Sequence, residues 1–181
     1  MQVHFRPLAA VSVMVIAVAG GCSSTPPPNW ANGGARMALG PATWHRSGDP
    51  VVLGADGKVT QDGDVLFVVD AAGRVYEEDG EPIAVVQEDG YLVGRDNVSM
   101  GRLGPVTAAF PGSDWAWLSI GPRGEVTRYD ADGDRSQDGY WEGCSGPVVR
   151  TCTLITHVIA LRDYVRQPRV SVGVGIGIGI H

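Results

Sequence analysis

The chain lacks most of the patterns that announce an enzyme. It has no His-Glu-x-x-His pair, no phosphate-binding loop and no dinucleotide fingerprint. Ser145, in Gly143-Cys-Ser-Gly-Pro147, misses the spacing of a nucleophile elbow because Cys144 precedes it directly. Carboxylates are many, but each stands in a turn-like context, so no pair is marked out for acid–base work. Beyond the N-terminal segment the histidines are His45, His157 and His181, and His157 lies in an apolar run that reads as core. No catalytic residue is assigned, and catalysis is not the expected role. Lysine is nearly absent, one against thirteen arginines, and a basic face is missing. Residues 49–142 hold 19 of the 20 acidic side chains and only seven basic ones. Phosphate binding needs the reverse, which argues against a nucleic-acid partner. An acidic middle reads instead as a solvated rim of turns, or as a surface for cations or a basic partner.

A long apolar run is missing too. Leu8 to Ala19 (LAAVSVMVIAVA) is twelve residues without a charge. As a helix it would reach about 18 Å, against a hydrocarbon core of roughly 30 Å. That is too short to span but suits the apolar region of a signal peptide, behind Arg6 and ahead of the small residues Ala19, Gly20 and Gly21. Ala19-Gly20-Gly21-Cys22 resembles the lipobox of bacterial lipoproteins, with Ala19 where that family usually has a larger aliphatic residue. The resemblance covers about the first 25 residues. It implies that residues 1–21 are removed and that the Cys22 thiol carries diacylglycerol. It also implies a membrane-anchored protein of the cell envelope. Ser23 after the cysteine resembles the outer-membrane sorting pattern of Gram-negative lipoproteins.

Three cysteines are an odd number for an exported chain. With Cys22 acylated, Cys144 and Cys152 remain as a pair in a disulfide-permissive compartment. Their short loop carries a Gly-Pro turn, and closing it would stabilise the fold by about 2.5 kcal/mol on the chain-entropy model. The spacing is not Cys-x-x-Cys, and no second thiol pair exists for zinc. Residues 22–41 read as a lipid-anchored Pro/Gly-rich tether. Its core is Ser23 to Asn29, where three consecutive prolines favour extended polyproline II. The Gly-rich stretch from Ala31 to Pro41 is either more tether or a loosely packed first strand.

Residues 42–168 read as one β domain. From Pro50 to Tyr129 no stretch sustains helical spacing over ten residues. Instead, runs such as Val65–Val69, Ile83–Val86 and Trp115–Ile120 are short, β-branched or aromatic, and bounded by turn residues. Gly57, Gly73 and Gly90 recur at intervals of 16 and 17 in one form, a glycine, any residue, then an aliphatic; Gly124 repeats it. The expected fold is all-β, an antiparallel meander of short hairpins forming a small barrel or sandwich-like body. Residues 151–165 carry both helical spacing and a strand-prone composition, and are expected as a buried strand. Residues 169–181 form a tail in which glycine alternates with aliphatics, from Val170 to Ile180.

Two constellations invite a ligand. Asp130, Asp132, Asp134, Ser136 and Asp138 place oxygens at alternate positions, as a calcium loop does, although Arg135 stands at the glycine position and Trp141 at the final glutamate position. The alternative is one more Asp-Gly hairpin. Trp115 and Trp117 would share a face of a strand and form a sugar-stacking platform with Trp30, Trp44 and Trp141, or else pack as core. The expected function is a non-catalytic structural or interaction module with a membrane contact through lipid and an envelope protein as partner. A calcium- or glycan-binding module is the alternative, and a hydrolase assembled from scattered residues is a third. No cofactor other than calcium comes into question.

Overall fold

Short strands between glycine turns leave the chain one economical course, which is to fold back on itself repeatedly. The computed structural model describes residues 24–166. Twelve strands follow in order: β1 (Ala42–His45), β2 (Val51–Leu53), β3 (Lys58–Gln61), β4 (Asp64–Val69), β5 (Arg74–Tyr76), β6 (Pro82–Val86), β7 (Tyr91–Gly94), β8 (Ser99–Leu103), β9 (Thr107–Ala109), β10 (Ala116–Ile120), β11 (Glu125–Tyr129) and β12 (Arg135–Glu142). Each pairs antiparallel with the next, and β12 returns to β1 with Trp44 opposite Trp141. The meander of hairpins therefore closes as a barrel, which leaves no sheet edge.

The connections alternate between two rims. The turns β2–β3, β4–β5, β6–β7, β8–β9 and β10–β11 form an upper rim, and β1–β2, β3–β4, β5–β6, β7–β8, β9–β10 and β11–β12 form a lower one. Five of the six lower-rim hairpins carry a register shift; the exception is β1–β2. Bulges sharpen twist and bend a strand, which is how so many short strands curve into a closed wall. The repeated glycine turns lock one hairpin to the next. The carbonyls of Gly57, Gly73, Gly90 and Gly124 accept the backbone N–H of Val69, Val86, Leu103 and Trp141 at 2.7–2.9 Å.

A twelve-strand barrel is too wide for its own side chains to fill, since diameter grows with strand number and eight strands already suffice for a packed interior. The space is taken by α1 (Val149–Arg166). Here the structure corrects the expectation of a strand over 151–165. Every residue from Thr151 to Leu161 is buried, so the helix is enclosed on all sides and needs no polar stripe. That enclosure also explains its Thr, Ile and Val content, because packing overrides their modest helix propensity. Two hydroxyls are satisfied within the helix: Thr153 Oγ1 donates to Val149 O at 2.9 Å and Thr156 Oγ1 to Cys152 O at 2.7 Å. Among the described residues no helix is long and apolar enough to cross a membrane.

The helix runs from the upper rim to the lower. At its start Thr151 Oγ1 donates to Ala38 O at 2.6 Å. At its end Arg162 reaches Leu66 O and Glu77, each at 3.2 Å, and Asp163 pairs with Arg46 at 3.2 Å. Around it pack Phe67, Leu53, Leu92 and Leu118 from the wall, all fully buried. Each such side chain contributes roughly 1.5–3 kcal/mol relative to exposure.

Residues 22–41, expected as a tether with Ala31 to Pro41 as either more tether or a loosely packed first strand, lie against the barrel from Thr25 onward. Gly34 N–H donates to Ala72 O, Ala35 N–H to Val86 O and Met37 N–H to Ala71 O, which straps residues 34–37 across the upper rim. Ala35 and Met37 are buried with the core. Small residues allow that close approach: a Cβ on Gly34 would collide with Val86 O.

Candidate functional site

The tryptophans are structural in four cases of five. Trp44 and Trp141 lie inside the barrel, stacked at 5.9 Å. Trp44 Nε1 donates to Asp138 O at 2.8 Å, and Trp141 Nε1 to Thr156 Oγ1 at 2.8 Å. Trp30 packs edge-on to Tyr76 at 6.3 Å. Trp115 and Trp117 do not share a face. Trp115 precedes β10 and is 44% exposed, whereas Trp117 is buried. The register of β10 shifts between Ala116 and Leu118, so Trp117 and Leu118 both turn inward and the strict alternation behind the platform expectation is lost.

Trp117 belongs to a node around His157. Trp117 Nε1 donates to His157 Nδ1 at 2.9 Å, and His157 Nε2 lies 2.7 Å from Met100 O, to which it must donate. Both ring nitrogens are spent, and the neutral Nε2–H tautomer satisfies all three groups. Burial pushes the imidazole down to about 4, against the Met100 carbonyl, which favours the charged ring. Gly101 makes room for this arrangement: its φ is +105°, and a Cβ there would stand 3.0 Å from His157 Nε2. His157 therefore has an indole and a carbonyl as partners and no carboxylate. His45 does meet a carboxylate, Glu142 Oε2 at 3.2 Å, with its ring stacked on Tyr140 at 4.8 Å. That pair lies on the outer wall, where Glu142 is open to water.

The Asp130–Asp138 run is an Asp-Gly hairpin. Asp130 Oδ1 accepts the N–H groups of Asp132 at 3.0 Å and Asp134 at 2.9 Å. Asp70 does the same for Ala72 and Arg74 at 2.9 and 3.0 Å, so Asp130 plays the part of an ordinary Asx-turn residue and Asp132 and Asp134 enter the turn only through their backbone N–H groups. Asp138 is drawn away into an ion pair with Arg128 at 2.5 Å, and Ser136 sits exposed in β12. Among the described residues no group of three or more His, Cys, Asp or Glu side chains is placed to hold a metal ion. The calcium expectation thus loses its converging ligands. The structure does bring part of this run and Trp117 to one hollow of about 330 Å³ at the lower rim, shared with Tyr129 and Tyr164.

Cys144 and Cys152 stand at disulfide distance, with Cα atoms 6.3 Å apart. They join the end of β12 to the first turn of α1, across a single 3₁₀ turn at Gly146–Val148. Cys22 and the tail Val170–Ile180 lie outside the described residues. Sequence reasoning missed Asp96 and Gln87, which hold the N-terminal segment to the wall. Asp96 exchanges two hydrogen bonds with Thr25, at 2.8 and 2.9 Å. Gln87 Nε2 donates to Pro28 O at 3.2 Å, and Gln87 Oε1 accepts from Asn29 Nδ2 at 2.9 Å. These contacts span 58 to 71 positions, and no local signal marks them. Compared with known proteins, the chain matches no family model, no curated protein and no solved structure.

Proposed function

We propose that this protein is an envelope lipoprotein, a non-catalytic structural or interaction module tied to a membrane through acylated Cys22. The observation that carries the reading is the pairing of Cys144 with Cys152. It leaves Cys22 as the odd thiol of an exported chain, at the position where the lipobox resemblance places diacylglycerol. The solid interior adds support. Helix α1 occupies the space where a barrel of this width would hold a ligand, and His157, among the described residues the one deeply buried group that titrates, has both nitrogens committed. That arrangement speaks against a hydrolase built on His157. Two or more acyl chains, at about 0.8 kcal/mol per buried CH₂, give an anchor that does not readily let go. Ser23 favours the outer membrane in a Gram-negative host, and an envelope protein is the partner class for the exposed wall.

The test is the intact mass of protein purified from its native membrane, alkylated before and after reduction. The expected species begins at Cys22, carries acyl mass and gains two alkyl groups only after reduction. A species without acyl mass, or one with a free thiol before reduction, overturns the reading.

A further inference from the structure

The path of the N-terminal segment fixes where an anchor would pull. Thr25 N–H donates to Asp96 Oδ1 at 2.8 Å, and Asp96 N–H donates back to Thr25 O at 2.9 Å. Asp96 lies in the β7–β8 connection, so Thr25 is docked at the lower rim. From there the chain climbs the outer wall to Pro28 and Asn29, which are bonded to Gln87 where the β6–β7 turn opens at the upper rim. Only then does it cross that rim and enter β1. The proline run is therefore laid along the barrel and does not hold the body away from its start. Three peptide links separate Cys22 from Thr25, a reach of at most about 11 Å. A second, independent feature ends at the same place. Helix α1 leaves the barrel at the lower rim, where Arg162 pairs with Glu77 and Asp163 with Arg46. The glycine-alternating aliphatic stretch from Val170 to Ile180 thus begins within a few residues of that rim.

We propose that the protein stands end-on at a lipid bilayer, with the lower rim facing the headgroups and the upper rim pointing away. This rests on the acylation of Cys22. The partner surface is the bilayer itself. Contact is set by the short link to Thr25, and the described residues run out at the lower rim at both ends, at Thr25 and at the end of α1.

The test uses the full lipidated protein in vesicles containing a headgroup-labelled acceptor lipid. With Cys22 acylated and Cys144 and Cys152 paired, an introduced cysteine is the one free thiol for a donor dye. Glu78→Cys labels the β5–β6 turn of the lower rim, and Glu88→Cys labels the β6–β7 turn of the upper rim. The proposal expects clearly more efficient energy transfer from position 78 than from position 88. Equal transfer, or the reverse order, overturns it. Asp96→Gly keeps the positive φ of +55° but removes the carboxylate that holds Thr25. It should lower transfer from position 78 and narrow the difference between the rims; no change would show that the docked segment does not set the geometry. The acyl mass is read on the same samples. Its absence refutes the anchor reading, whereas acylated protein with the wrong rim order refutes the orientation alone.

Discussion

His157 makes the inside of the barrel sensitive to acid. Its imidazole is fully buried and held neutral at about 4, below the ordinary 6.5, mainly because burial penalises its charged form. The unfolded chain takes up a proton near 6.5 and the folded chain does not until near 4. The unfolded state therefore binds more protons in that window, and stability falls as pH falls through it. The contribution is fully present above about 6.5, and the loss by pH 4 is about 3 kcal/mol. Urea unfolding at pH 7 and pH 4.5 should show this decline in the natural protein and a much flatter profile in His157→Gln, which keeps an acceptor and a donor without a titrating ring. A profile just as steep in His157→Gln would place the acid sensitivity elsewhere. The sequence marked His157 as a core residue through its apolar neighbours. It did not mark Trp117 or Met100 as the partners, because those pairings depend on which wall faces the helix.

At the level of elements, the glycine repeat was the most readable feature, and it works through the backbone. Gly124 and Gly133 have nearly equal φ, +87° and +85°. A methyl group on Gly133 would meet open space, while one on Gly124 would collide with the Trp141 carbonyl and come within 3.0 Å of its carbon. Both substitutions to alanine share the cost of left-handed backbone, about 1 kcal/mol. Only Gly124→Ala also forces apart the contact that ties the β10–β11 turn to β12, which adds about 2 kcal/mol. Chemical denaturation of the two variants should separate them by that amount at an unchanged m-value. Equal losses would mean that the turn-to-strand lock contributes nothing. Periods of 16 and 17 revealed this repeat because turn and strand requirements are local. Helix α1 escaped the same reading for the opposite reason. Its Thr, Ile and Val residues favour strands, and only enclosure by twelve strands makes an all-round buried helix the better solution. The prolines of the N-terminal segment signal extension, yet residues 28–32 form turns, with Trp30 N–H on Pro27 O and Gly33 N–H on Asn29 O, and nothing local marks the wall they lie against.

The distribution of charge over the whole molecule bears on how closely it approaches a membrane. The lower-rim connections hold eleven acidic and two basic side chains, with Glu77, Glu78, Asp79 and Glu81 in one turn and Asp130, Asp132 and Asp134 in another. The five upper-rim turns hold four acidic and one basic. An end-on protein therefore presents its most negative surface to the headgroups, and an anionic bilayer repels the end that its own anchor draws in. The link from Cys22 to Thr25 allows about 11 Å of slack, and the screening length is about 8 Å at physiological salt but about 30 Å at 0.01 M. Repulsion should thus hold the link taut at low salt and let it relax when screened. With the donor at position 78, transfer to headgroup acceptors at 0.01 M salt should be weaker on anionic than on zwitterionic vesicles. The difference should close as salt approaches 1 M, where screening falls to about 3 Å. Position 88 rides on the same barrel and should shift in the same direction, from a lower starting transfer. If lipid charge leaves transfer from position 78 unchanged at low salt, the acidic rim does not face the bilayer, and the end-on geometry fails even if the lipid on Cys22 is present.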